Sequence, residues 1–202
     1  MNSLIENSVL NSFSYAEYRN HVSQLLLEKL STGDTQSEDL FNYSTLNEVR
    51  MNRLDKTIKI PQEIKDKLAN LKKEYLLLVI SEGWCGDAAQ IVPVMNKIAE
   101  ESSKLELKIV LRDENVTLMD EFLTNGARSI PKLILVEKDT HIVRGSWGPR
   151  PHGALKLILD YKEKFGVIDQ EAKTELQKWY LQDKGISTME EIVVLLENAE
   201  NM

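Results

Sequence analysis

The run Tyr-Leu-Leu-Leu-Val-Ile at 75–80 constrains the fold more than any other stretch. It is apolar throughout, without alternation, and is bounded by Glu74 and by Ser81-Glu82-Gly83. That pattern fits a short strand covered on both faces rather than one half in water. Such a strand needs helices on either side of its sheet, and the downstream chain supplies them. Ile91, Val94, Met95 and Ile98 recur at helical spacing between Ala88 and Glu100, and Leu-Glu-Leu-Lys-Ile-Val-Leu at 105–111 alternates toward a second strand. Thr117 to Leu123 reads as a short helix ending near Gly126, 132–137 as a strand, 141–147 as its hairpin partner, and 153–165 as a closing helix. The predicted order is β-α-β-α-β-β-α. This is an α/β fold with a mixed sheet, because helical crossovers join parallel neighbours and the turn at Lys138-Asp139-Thr140 joins an antiparallel pair.

The flanks are helical. Ser14 and Glu17 form a capping box ahead of Tyr18, Val22, Leu25 and Leu26, predicting a helix over about 15–30. After a polar loop at 31–39, Ser44 is positioned to cap a helix carrying Leu46, Val49 and Leu54, and Pro61 to open a third with Ile64, Leu68 and Leu71. Beyond Phe165 one helix carries Ala172, Leu176, Trp179 and Tyr180 and stops at Gly185, and Ser187 with Glu190 suggests a capping box for another. The chain therefore divides into a helical N-terminal extension at 1–74, a central domain at 75–165 and a C-terminal helical extension at 166–202. Trp179 and Tyr180 read as packing of the last segment on the domain. Arg50, Arg53, Lys56 and Lys59, spaced every three residues, read as a solvated helix face.

Charge and composition narrow the function. With 32 acidic and 25 basic residues the net charge is −7, which gives no general attraction to nucleic acid or anionic lipid. The first twenty residues lack the basic start and apolar run of a signal peptide, and no stretch is long and apolar enough to span a membrane, so the expected compartment is the cytoplasm. Three scattered histidines and one cysteine make no zinc cluster, and neither metal nor cofactor is expected.

That one cysteine, Cys85, stands in Trp84-Cys85-Gly86-Asp87-Ala88, just past the buried strand and at the start of a helix that contains Pro93. Ile130-Pro131 precedes a later strand. Together these features resemble the thioredoxin superfamily, over residues 75–165, and specifically bacterial thioredoxin-like families with helical N-terminal additions. The resemblance implies a thioredoxin fold, a cis peptide before Pro131 facing the sulfur, and a groove of Trp84, Gly86, Asp87, Ala88, Ser129, Ile130 and Pro131 in which a partner peptide adds as a strand. Arg150, in the loop after the last strand, is a further groove candidate. A helix N-terminus favours thiolate by roughly 0.3–2 kcal/mol, which makes Cys85 a candidate nucleophile if it is partly exposed. Asp87 opposes this by about 1 kcal/mol, and the two terms leave a pKa near that of a free thiol.

Departures from the family pattern limit the chemistry. Dithiol members carry a second cysteine where this chain has Ala88, and an acid six residues before the first where it has Val79; Glu82 is the nearer acid. Both absences weaken the step that releases a mixed disulfide. Two readings follow: monothiol exchange at Cys85 with protein or low-molecular-weight thiols and disulfides, resolved by an external thiol, or a redox-inactive module that binds peptides or proteins in the groove. Iron-sulfur ligation as in monothiol glutaredoxins is disfavoured, since Asp87 and Ala88 replace the last two residues of Cys-Gly-Phe-Ser.

Overall fold

The structure, a computed structural model, describes residues 2–202. Among these, nine helices surround one four-stranded sheet. The sheet consists of β1 (Tyr75–Ser81), β2 (Leu105–Leu111), β3 (Lys132–Glu137) and β4 (Val143–Trp147), in the order β2-β1-β3-β4. Strand β1 is buried along its whole length, as a strand covered on both faces must be. Leu77, Leu78, Val79 and Ile80 are wholly inaccessible, and each such side chain contributes roughly 1.5–3 kcal/mol of hydrophobic stabilisation.

Pairing departs from expectation in one respect. β1 and β2 are parallel and β3 and β4 antiparallel, but β1 and β3 are antiparallel too, although a helix lies on the path between β2 and β3. The reason is length. That helix, α6 (Val116–Glu121), has six residues and spans roughly 9 Å, too short to return the chain along a strand of about 23 Å. β3 therefore enters beside the end of β1, with Lys132 opposite Ile80, and runs backwards.

Four helices precede the sheet: α1 (Asn2–Leu10), α2 (Tyr15–Leu27), α3 (Glu38–Thr57) and α4 (Gln62–Ala69). The capping box at Ser14 forms as its residues require. Ser44, however, caps nothing. It lies buried inside α3 against Ser31 Oγ at 2.6 Å, and the cap is Ser37, whose side chain accepts from Leu40 N–H. Helix α5 (Ala88–Glu100) follows β1 and is buried almost all round, because it packs on the sheet and is itself covered by α3 and by α9 (Ile186–Glu200). α7 (His152–Phe165) and α8 (Gln170–Asp183) complete the set. The expected capping box at Ser187 is absent, since α9 starts at Ile186 after Gly185 in the left-handed region, and Ser187 hydroxyl bonds back to Asp183. One hydrophobic core contains residues from both helical ends as well as the sheet.

Candidate functional site

Cys85 lies in the turn between β1 and α5, three residues before that helix begins. The N-terminal segment holds this turn through the loop between α2 and α3 and through α3 itself. Thr32 Oγ1 accepts from Gly83 N–H at 2.8 Å, and Asn47 Nδ2 of α3 donates to Gly83 C=O at 2.9 Å. On the other side stands the loop before β3, where the Ile130–Pro131 peptide is cis. Gly148, at φ +115°, lets the strand β4 exit pass within reach of that loop; a Cβ there would lie 2.3 Å from Pro131 C=O.

These elements close on the sulfur. Cys85 is 8% exposed, and its thiol donates to Ile130 C=O at 3.4 Å while Sγ accepts from Ala88 N–H at 3.4 Å. Burial pushes the thiol up to about 12, with Asp87 adding to the rise; the amides of Ala88 and Asp87 and the Arg150 guanidinium pull the other way without overcoming it. The sequence-based expectation of an exposed sulfur with a near-ordinary pKa is therefore corrected. Its two terms, helix end and Asp87, omitted desolvation, which exceeds both. The Ala88 amide does donate to Sγ and favour the thiolate, but burial outweighs it.

Asp87 is the hub of the polar layer above the sulfur. Its carboxylate accepts from Arg150 Nη2 at 2.6 Å and from Tyr180 hydroxyl at 2.9 Å, so it makes no cap to its own helix. The Arg150 guanidinium, from the loop after β4, is buried enough that its Nε has no partner, and burial and Asp87 together push the Tyr180 hydroxyl well above its ordinary range. Trp84 is half-buried with the Arg112 guanidinium over its ring at 4.7 Å. Glu82 corrects a second expectation. A buried acid is present after all, wholly inaccessible and raised by burial, but its Oε1 accepts from Asp113 N–H at 3.0 Å and its Oε2 has no partner.

Above this floor opens a cleft of about 530 Å³. Trp84, Cys85, Gly86, Asp87 and Arg150 line it; its walls are Leu40, Tyr43, Leu46 and Arg50 of α3, and Lys173, Thr174, Leu176 and Gln177 of α8. The remaining candidates lie elsewhere. Ala88, Ile130 and Pro131 are buried beneath the floor and Ser129 is half-buried, with the Ile130 backbone facing the sulfur at hydrogen-bond distance. Sequence reasoning missed both walls, because α3 and α8 lie outside the stretch that carried the resemblance. The signals were Tyr43 with Leu46, left exposed on a helix, and Tyr180, which packs as expected but through its hydroxyl on Asp87. No cluster of metal-ligating side chains occurs among the described residues, and no described helix is long and apolar enough to cross a membrane.

Comparison with known proteins agrees with this architecture. The family described as thioredoxin matches residues 33–173, which includes α3 and the first residues of α8. A crystal structure of a protein of unknown function from Pseudomonas aeruginosa superposes with a TM-score of 0.60 at 16% identity, covering 93% of this chain and 99% of the other. An HIV epitope scaffold superposes at 0.57 with 15% identity, covering 92% and 98%. These likenesses extend over the helical ends as well as the sheet.

Proposed function

This chain belongs to the thioredoxin family, and within it we propose the role of a redox-inactive binding protein whose ligand occupies the cleft above Trp84, Cys85, Gly86 and Asp87. One observation carries the reading: the single sulfur is covered and hydrogen-bonded to Ile130 C=O, with burial raising its pKa, so it serves to join the helix start to the loop before β3. The absence of a second cysteine at Ala88 fits, since no internal thiol is available to release a mixed disulfide. The helical extensions then have a purpose, because they build the walls of the cleft. No cofactor enters the reading.

The rival reading is monothiol exchange, in which Cys85 attacks a partner disulfide and an external thiol resolves the product. It draws on the fact that Cys85 is among the residues lining the cleft, so that a ligand seated there would lie against the sulfur. Insulin reduction separates the two. With dithiothreitol as reductant, the native chain and Cys85→Ser should give the same turbidity rate. A native rate several times that of the serine variant would contradict the binding role.

A further inference from the structure

A second cleft, of about 560 Å³, continues the first along the same pair of helices. The first uses α3 near Leu40 to Arg50 and α8 near Gln170 to Gln177; the second uses α3 from Arg53 to Thr57 and the end of α8 from Tyr180, closing at Lys184. The stretch of α3 from Leu40 to Thr57 rises roughly 25 Å, the length of about eight residues of extended peptide.

Charge along this seam is reversed relative to the molecule. Arg50, Arg53, Lys59, Arg150, Lys173 and Lys184 line it, against the one carboxylate of Asp87, in a chain of net charge −7. Asp87 is already bonded to Arg150, and none of the other five cations forms an ion pair among the described residues. Arg50 is half-buried; burial and the neighbouring Arg53 disfavour its charge and Asp87 only partly offsets them, a remaining cost that an anion in the seam would relieve. Between the cations stand large exposed apolar side chains, Tyr43, Leu46 and Leu181, which a uniformly charged polyanion would leave unused.

We propose that the α3–α8 seam binds an extended acidic peptide segment of a partner protein, with its carboxylates on the unpaired cations and apolar side chains between them. The inference rests on the binding role proposed above and supplies its partner class. Charge complementarity selects the peptide, while the negative charge of the rest of the surface repels long nucleic acids.

The test is fluorescence anisotropy with a labelled octapeptide of alternating glutamate and leucine, against one of alternating lysine and leucine and against a short oligo-dT. The acidic peptide should bind, and Arg53→Glu/Lys184→Glu should weaken it by about tenfold or more, while Lys164→Glu, an exposed reversal on α7, should leave it unchanged. Raising sodium chloride from about 50 to about 500 mM should weaken native binding about fivefold or more, a readout that needs no variant to fold. Equal binding of the lysine peptide, insensitivity to both the double reversal and salt, or tighter binding of the oligonucleotide would overturn the proposal. If the peptide fails while insulin turnover stays at the serine-variant rate, only the partner class falls; if insulin turnover is fast, the binding role itself falls.

Discussion

At about pH 7.5 the folded chain should react with a mixed-disulfide probe on the order of a hundredfold more slowly than a free cysteine, and unfolding in urea should restore the ordinary rate. The size follows from two opposing terms. A thiol held near about 12 is ionised roughly 3,000-fold less at this pH than one at 8.5. The more basic thiolate is intrinsically more nucleophilic, by roughly 40-fold for a Brønsted slope near 0.45. Their quotient is somewhat under a hundred, and the cover provided by Ile130 lowers the rate further. Ellman's reagent with stopped-flow detection reads it directly. A folded rate within threefold or so of the unfolded one would show that the sulfur is available, and would restore Cys85 as a nucleophile.

Asp87→Ala should destabilise the fold by about 2–4 kcal/mol, because it leaves the Arg150 guanidinium and the Tyr180 hydroxyl without their shared acceptor in a largely buried layer. The same substitution should lower the thiol pKa. Burial remains the larger cause of its elevation, but the second, repulsion by Asp87, disappears while Arg150 stays nearby to favour the thiolate. Probe reactivity should therefore rise even as stability falls. Adding Arg150→Met removes the stranded charge, so the double variant should recover about 1 kcal/mol or more and lose part of the gain in reactivity, Arg150 being the smaller of the two influences on the thiol. Denaturant melts give the first quantity and probe kinetics across pH the second. A rate that stays flat or declines in Asp87→Ala would mean that Asp87 does not act on the sulfur.

The apolar run at 75–80 was sufficient to place a doubly covered strand, and helical spacing sufficed for α5, since each depends on local pattern. The antiparallel entry of β3 depends on how far a six-residue helix can carry the chain, which periodicity does not express. Two caps were misplaced: Ser37 rather than Ser44 caps α3, leaving Ser44 to bond Ser31 in the core, and α9 starts at Ile186 after Gly185 rather than after Ser187. The site shows the same division. Trp84, Cys85, Gly86, Asp87 and Arg150 meet around one cleft, as their positions after β1 and β4 allow. What the sequence did not express was desolvation. The thiol's pKa is set by how fully Ile130, Ala88 and Asp87 enclose it, and enclosure arises only when distant segments pack. Likewise Arg50 and Arg53 form a solvated face only if α3 has no neighbour, and Lys59 falls beyond the end of that helix; α8, from the other end of the chain, makes one side of a seam with all three.

The protonation state of Cys85 tests the whole account most directly. Titrating the ultraviolet thiolate band of the native chain against Cys85→Ser, from about pH 6 to about pH 11, should show no thiolate step below about pH 10. A step centred below about pH 8.5 in the folded protein would contradict a buried, neutral sulfur and the binding role built on it.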